Sequence, residues 1–227
     1  MKNYLKISPA ALTALGLKSN PIPKRKTQKK SESTHKINID FTFAAKLASA
    51  IQRALGGNQT YPMLMSRLLK QIRLGQVPSG TGMLTSNGAH FLKNVEFNRH
   101  LPLDSVPLQY DVEYDEENAK LKVSFRRFFP YYVFRFPDFI HEVQITLAIA
   151  SFREGVLTPD VSSAPSGFID LYEREQEAFT LELPLVKIAE TFHLVALKLD
   201  SFSRHENGRF ISQHKTRHCL KIIEVIN

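Results

Sequence analysis

Hydrophobic residues recur at every third or fourth position in two segments of the chain, residues 41–55 and residues 61–74. The recurring positions are Phe43, Leu47, Ile51 and Leu55 in the first segment, and Leu64, Leu68, Leu69 and Ile72 in the second. This spacing places the apolar side chains on one face of an α-helix. Gly56-Gly57 can end the first helix, and Pro62 fits the first turn of the second. The pattern therefore predicts two amphipathic helices joined by a short loop.

From about residue 94 onward the hydrophobic positions follow the period of two that is typical of β-strands. Residues 109–114 and residues 120–125 alternate on either side of an acidic turn at 115–118, which predicts a hairpin. Further strands are predicted at 142–152, 167–172, 178–183, 192–202, 209–212 and 219–226. Short strands separated by turns favour an antiparallel β-sandwich of immunoglobulin or fibronectin type III character.

The segment before the first helix has a different composition. Residues 18–36 contain many charges, two prolines and one further apolar residue, Ile22. Such a segment buries too little surface to offset the entropy lost on ordering, so we predict a flexible arm. The whole chain is then of the α+β class, with a disordered basic arm at 1–36, a small helical region at 37–98 and a β-sandwich domain at 99–227.

Several short motifs resemble an uncharacterised Bacteroidetes protein family. In the helical region they are Leu47-Ala-x-x-Ile51-x-x-Ala-Leu55, Ser66-Arg67-Leu68-Leu69 and Phe91-Leu92-x-x-Val95-Glu96-Phe97-Asn98. Near the end of the chain they are Leu197-x-Leu199-Asp200, Glu206-Asn207-Gly208 and Leu220-Lys-Ile222-Ile223-x-Val225. The resemblance implies a helical N-terminal region followed by a fibronectin-like sandwich. It implies no activity, since that family has none assigned.

Charge is distributed unevenly along the chain. Of the 30 Lys and Arg and the 22 Asp and Glu, residues 1–36 hold nine basic and one acidic, which leaves 21 of each sign in the rest. Five of the basic residues fall within seven positions: Lys24, Arg25, Lys26, Lys29 and Lys30. A flexible polycation can displace counterions from nucleic acid, so these five form a candidate polyanion-binding site. The alternative is a solvated tail that keeps the protein soluble.

The second predicted helix also carries basic residues, Arg67, Lys70 and Arg73, on its polar side. In a DNA-reading helix pair, however, the N-terminal residues of the second helix contact the bases. Here those residues are apolar, beginning with Pro62 and Met63. The favoured interpretation is therefore an ordinary helical hairpin that covers a sheet.

Residues 125–136 have the most unusual composition, with seven aromatic residues and three arginines in twelve positions. These residue types dominate the energetics of protein interfaces, and Arg stacks on aromatic rings. We predict a protein-interaction site that comprises Phe128, Phe129, Tyr131, Tyr132, Phe134 and Arg135. The alternative is a strand–bulge–strand whose alternate aromatic side chains fill the sandwich core, with the others covered by the N-terminal helices.

Motifs of the common enzyme classes are missing from the sequence. It contains no Gly-x-Ser-x-Gly elbow, no phosphate-binding P-loop and no Gly-x-Gly-x-x-Gly fingerprint. A single cysteine, Cys219, excludes an internal disulfide and a multi-cysteine zinc site. His214 and His218 are four apart, but no further ligand follows at a convincing spacing. We therefore expect no enzymatic activity, no cofactor and no bound metal.

No stretch of the chain approaches the roughly 20 apolar residues that a membrane-spanning helix needs, and we expect a cytoplasmic protein. The leading hypothesis is a non-enzymatic structural or protein-interaction module, with self-assembly through residues 125–136 as one form of that role. The alternative is a nucleic-acid-associated protein that binds phosphates through the basic arm.

Overall fold

Two α-helices begin the described part of the chain, which comprises residues 32–56, 61–97, 102–137, 139–205, 208–211 and 218–227 of this computed structural model. The helices are α1, Glu32–Leu55, and α2, Tyr61–Arg73. The end of α1 and both ends of α2 agree with the prediction. The start of α1 differs, because residues 32–36 are helical although the sequence places them in the arm. Once the buried part of α1 has formed, each further helical residue adds one backbone hydrogen bond. The polar residues 32–36 contain no Gly or Pro, so they can extend the helix.

In the described residues after α2, nine strands and three short helices follow. The strands are β1 Tyr110–Asp115, β2 Lys120–Phe125, β3 Glu142–Arg153, β4 Asp160–Pro165, β5 Ile169–Asp170, β6 Phe179–Pro184, β7 Thr191–His205, β8 Gly208–Ile211 and β9 Cys219–Ile226. The short helices are the 3₁₀ turns η1 Asn87–Leu92 and η2 Leu103–Ser105, and the α-helix α3 Pro130–Phe134. The hairpin at 115–118 and the final strand are confirmed. The sequence does not predict β4, because the small polar residues of that segment show no alternation.

The strands form two antiparallel sheets. One sheet has the order β1-β2-β6. In the other, β3 pairs with β7 along its whole length, β4 and β5 pair with the opposite edge of β3, and β8 and β9 pair with the opposite edge of β7. The fold is therefore a β-sandwich with additional helices, in agreement with the predicted α+β class.

The central strands of the six-stranded sheet, β3, β7 and β9, are buried on both faces. On one face, Ala148, Ala150 and Phe152 of β3 pack in a core with the apolar sides of α1 and α2. On the other face, residues such as Ile145 and Leu147 pack against the three-stranded sheet. Burial on both faces explains the uninterrupted apolar stretches 147–150 in β3 and 194–197 in β7. Within Ser33–Asn227 the fold thus has three layers, and the helices share one hydrophobic core with the six-stranded sheet.

Two carboxylates fasten the loop between α2 and η1 to the rest of the fold. Asp40 of α1 accepts hydrogen bonds of 2.6 Å from the Ser79 hydroxyl and from the Gly80 backbone N–H. Glu154, just after β3, accepts bonds of 2.7 and 2.9 Å from the backbone N–H and the hydroxyl of Ser86. The Asp40 bonds hold the loop against α1, and the Glu154 bonds join the loop to the end of β3 in the six-stranded sheet. No helix within the described residues is both long enough and apolar enough to cross a membrane.

Candidate protein-interaction surface

The short helix α3 divides the aromatic segment 125–136 into a buried and an exposed half. Pro130 begins the helix, where its fixed φ is favourable and its missing N–H costs nothing. Pro130 and Phe134 are four residues apart, so they lie on the same face, and both are buried. Tyr131 and Tyr132 lie on the opposite face, where they are 63% and 66% exposed. The segment is therefore not the strand–bulge–strand of the alternative prediction.

The buried half of the segment belongs to the sandwich core. Phe125 stacks on Phe179 of β6 with a centroid distance of 4.7 Å. Phe134 is only 3% exposed and contacts the rings of Phe128 and Phe136 at 5.8 and 6.2 Å. The sequence predicts Phe134 as part of the interaction site, but its burial means that it supports the surface from below. Phe128 is half-buried at the margin of the same core.

The exposed half forms a connected group of rings. Tyr132 meets the rings of Phe129 and Tyr131 edge-on, with centroid distances of 6.2 and 5.8 Å. Arg135 is exposed and donates from Nε to the Tyr132 carbonyl oxygen at 3.3 Å. It ends α3 with a φ of +21°, which residues with side chains rarely adopt. The hydrogen bond to the Tyr132 carbonyl oxygen holds the cationic side chain of Arg135 next to the backbone of Tyr132.

A fourth aromatic residue, Tyr172, extends this group. Tyr172 is 57% exposed and lines the same shallow cleft as Tyr131 and Arg135. The cleft has a volume of about 10 Å³, which is far below that of a small-molecule site. We call Phe129, Tyr131, Tyr132, Tyr172 and Arg135 the aromatic surface. Because its cleft is so shallow, the aromatic surface suits contact with another macromolecule and not with a small ligand.

Hydrogen bonds hold the start of this surface in place. Phe128 and Gln176 exchange two backbone bonds, from the Phe128 N–H at 3.1 Å and from the Gln176 N–H at 2.8 Å. Next to them, Arg127 Nε lies 2.9 Å from a carboxylate oxygen of Glu175. These contacts fix the backbone directly before Phe129, and fixing part of a binding surface in advance lowers the entropy cost of binding.

A charge cluster around one buried carboxylate lies at one end of the six-stranded sheet. The Glu142 carboxylate of β3 accepts hydrogen bonds from Arg204 of β7 and from Arg209 Nε of β8, the latter at 2.5 Å. Arg204 also reaches Asp170 of β5 at 3.2 Å. Burial would raise the pKa of Glu142, but the hydrogen bonds from the two arginines outweigh it and lower that pKa. The cluster joins four strands, and its members are too far apart in sequence for any motif to reveal it.

Two further polar pairs in the described part of the chain involve histidine side chains. Ser151 Oγ lies 2.8 Å from His193 Nδ1, as in the first half of a nucleophile–base pair. His193 is buried, however, which lowers the pKa of its ring and keeps substrate away from it. His218 contacts Asp200 at 3.1 Å, while His214 lies outside the described residues. Among the side chains that the structure describes, no three His, Cys, Asp or Glu are close enough to hold a metal.

A wide depression of about 340 Å³ lies at the start of β1, beside Tyr110, Asp111 and Arg126. Its two charged residues are exposed, and they face each other at 3.5 Å. Burial raises the pKa of Tyr110, which makes its hydroxyl a poor acid near neutral pH. The depression therefore offers no enclosed set of converging polar groups of the kind that binds a small ligand.

The second predicted site, the cations Lys24, Arg25, Lys26, Lys29 and Lys30, lies outside the described residues. No family model, no curated protein and no solved structure matches this chain. The resemblance to a Bacteroidetes family therefore stays a prediction.

Proposed function

We propose that this protein is a non-enzymatic interaction module that associates with a second copy of itself through the aromatic surface. The proposal rests above all on the exposure of Tyr131 and Tyr132 on a helix that is anchored from below by Phe134. Large aromatic side chains are costly to leave in water, and they are the residues that most often anchor protein interfaces.

The size of the aromatic surface supports this role. Its four aromatic residues are between 46% and 66% exposed. An aromatic side chain buries roughly 150–250 Å² when it is fully covered, so together they offer about 400–500 Å². Apolar patches of this size on a monomer are often functional. They would supply about half of the roughly 800 Å² that each partner contributes to a typical interface.

The composition of the aromatic surface favours a second copy as the partner. In a twofold-symmetric dimer the same patch faces itself, so it must be self-complementary. A cation–π contact needs a cation and an aromatic ring, and the aromatic surface exposes both: the guanidinium of Arg135 and the rings of Tyr131 and Tyr132. Across a twofold axis, Arg135 of each copy can lie over the tyrosines of the other.

We also propose that the sandwich is of the immunoglobulin or fibronectin type III kind. Its strand order supports this assignment. Strands β1, β2 and β6 correspond to A, B and E of one sheet, and β3, β7 and β9 correspond to C, F and G of the other. Such sandwiches are common binding scaffolds, but the fold alone does not identify a partner.

The double substitution Tyr131→Ala with Tyr132→Ala tests the proposed self-association. We expect the full-length protein to be a dimer in sedimentation velocity or light scattering. The variant should weaken the dimer at least 100-fold, since interface anchors contribute about 2 kcal/mol or more each. Thermal unfolding should change little, because both side chains are mostly exposed.

The matched control is Phe210→Ala with Ile211→Ala on β8, where the two side chains are 52% and 53% exposed. This pair removes similar apolar area from another part of the surface and should leave the dimer intact. A monomeric parent protein at high concentration, or equal weakening by both variants, contradicts the proposal.

A further inference from the structure

Besides Lys36 near the start of α1, the solvent-facing sides of α1 and α2 carry five exposed basic residues. They are Lys46, Arg53, Arg67, Lys70 and Arg73, which we call the helix-face cations. The two helices contain only two acidic residues, Glu32 and Asp40. Asp40 is buried, and its carboxylate is occupied by Ser79 and Gly80. The middle of this face therefore has a strong positive charge.

The fold places the helix-face cations on one side of the molecule. The buried sides of both helices belong to one core against the six-stranded sheet. Their opposite sides consequently point away from the sandwich. Lys46 and Arg53 are seven residues apart on α1, and the three cations of α2 are spaced three apart, so each set lies along one side of its helix.

These cations are available for a ligand. Within the described residues no ion pair involves any helix-face cation, and Arg53 reaches only the Ser49 carbonyl oxygen at 3.4 Å. Basic residues near the opposite sheet are paired instead. Lys120 lies 3.3 Å from Glu182, and Lys187 lies 3.0 Å from Glu116.

The opposite outer layer is net acidic, because strands β1, β2 and β6 with the β1–β2 turn hold six acidic residues and two basic ones, Lys120 and Lys122. Residues 110–118, which form β1 and its turn, contain five acidic residues and no basic one. The three-layer fold therefore separates charge between its two outer faces. A field of this kind orients and attracts a polyanion toward the helical layer.

We infer that the helical layer binds the phosphate backbone of double-stranded nucleic acid without reading its sequence. The cations lie in the middle and C-terminal part of α2, not at the N-terminus from which recognition helices contact bases. No aromatic residue occurs in 46–53 or 67–73, so this face lacks the stacking rings that bind single strands.

An anionic membrane is the less favoured partner. Helices that lie on membranes insert an apolar face between the lipids, with the cations on the other side. The apolar sides of α1 and α2 are instead buried in the protein core. The inference concerns a different face from the aromatic surface and does not depend on self-association.

The test uses the full chain and a labelled DNA duplex of about 20 base pairs, with fluorescence anisotropy between roughly 50 and 200 mM salt. The variant replaces Arg67, Lys70 and Arg73 with Gln. Each phosphate that the variant no longer neutralises should make the slope of log K against log salt less negative by about 0.9, so we expect a change of about 2 to 3. Affinity at low salt should fall at least 10-fold. The charge-keeping variant Arg67→Lys with Arg73→Lys should retain the parent slope.

The matched control replaces Lys120, Arg126 and Lys187 with Gln, which removes the same charge from the opposite layer. It should keep the parent affinity and slope. The inference is overturned if the parent protein does not bind the duplex, or if the two triple variants have the same slope. It is also overturned if vesicles of phosphatidylserine and phosphatidylcholine bind more tightly than the duplex and compete with it.

Discussion

Replacing Glu142 with Gln is expected to lower the free energy of unfolding by about 2–4 kcal/mol. The carboxylate is almost fully buried and accepts charge-assisted hydrogen bonds from Arg204 and Arg209. Each such bond contributes about 1.5–3 kcal/mol, and the amide cannot accept from both arginines with the same strength. The arginines are about half exposed, so they recover part of their hydration in the variant, which limits the loss. Equilibrium unfolding in urea at neutral pH measures the difference.

The same substitution has an expected pH dependence. The pKa of Glu142 is lower in the folded protein than its unfolded value of about 4.3. A lowered carboxyl pKa contributes stability that is present above the unfolded value and is lost as pH falls through the folded value. The parent protein should therefore lose more stability than the variant on acidification below about pH 4. The two stabilities should converge at low pH.

The control for this experiment is Glu117→Gln in the β1–β2 turn. Glu117 is exposed, so the change should stay within about 0.5 kcal/mol of the parent protein. The role of Glu142 as a link between strands would be contradicted if the two substitutions lowered the free energy of unfolding equally. It would also be contradicted if the difference in this free energy between the parent protein and the Glu142 variant did not change with pH.

Replacing Phe192 with Ala is expected to cost about 3–5 kcal/mol and to destabilise the helices together with the strands. Phe192 and Phe152 face each other across β3 and β7, stacked at 5.3 Å with an interplanar angle of 8°. Both are buried in the core between the sheet and the helices. A cavity there weakens the packing of two layers at once. The measurement is thermal unfolding followed by far-ultraviolet circular dichroism for the backbone and by near-ultraviolet signal for the rings.

A single transition with both signals coincident is the expected outcome for the parent protein and the Phe192 variant. Phe210→Ala serves as the control, because that side chain is half exposed on β8 and its removal should cost little. Two separate transitions, with the helical signal disappearing first, would mean that residues 37–98 fold independently. A milder variant, Phe192→Leu, keeps the test available if the alanine variant does not fold.

The sequence by itself determined the elements whose signal is local. The four-residue spacing in 41–55 predicts a helix, and the alternation around the turn at 115–118 predicts a hairpin. Both predictions use neighbouring residues only, and both the helix and the hairpin are present. Cys219–Ile226 also agrees with the prediction, because a run of eight residues rich in β-branched Ile and Val favours a buried strand. Periodicity reports which face of an element is buried, and it needs no knowledge of the partner.

Only the tertiary structure decided which aromatic residues of 125–136 are exposed. The composition of that segment predicts a surface, but a five-residue helix, too short to leave a periodic pattern, puts Phe134 in the core and Tyr131 on the outside. The same limit applies to Glu142, Arg204 and Arg209, which come together only through strand register. It applies as well to the separation of basic and acidic layers. Pairing between distant residues depends on how elements pack, and packing is a property of the whole chain that no local pattern contains.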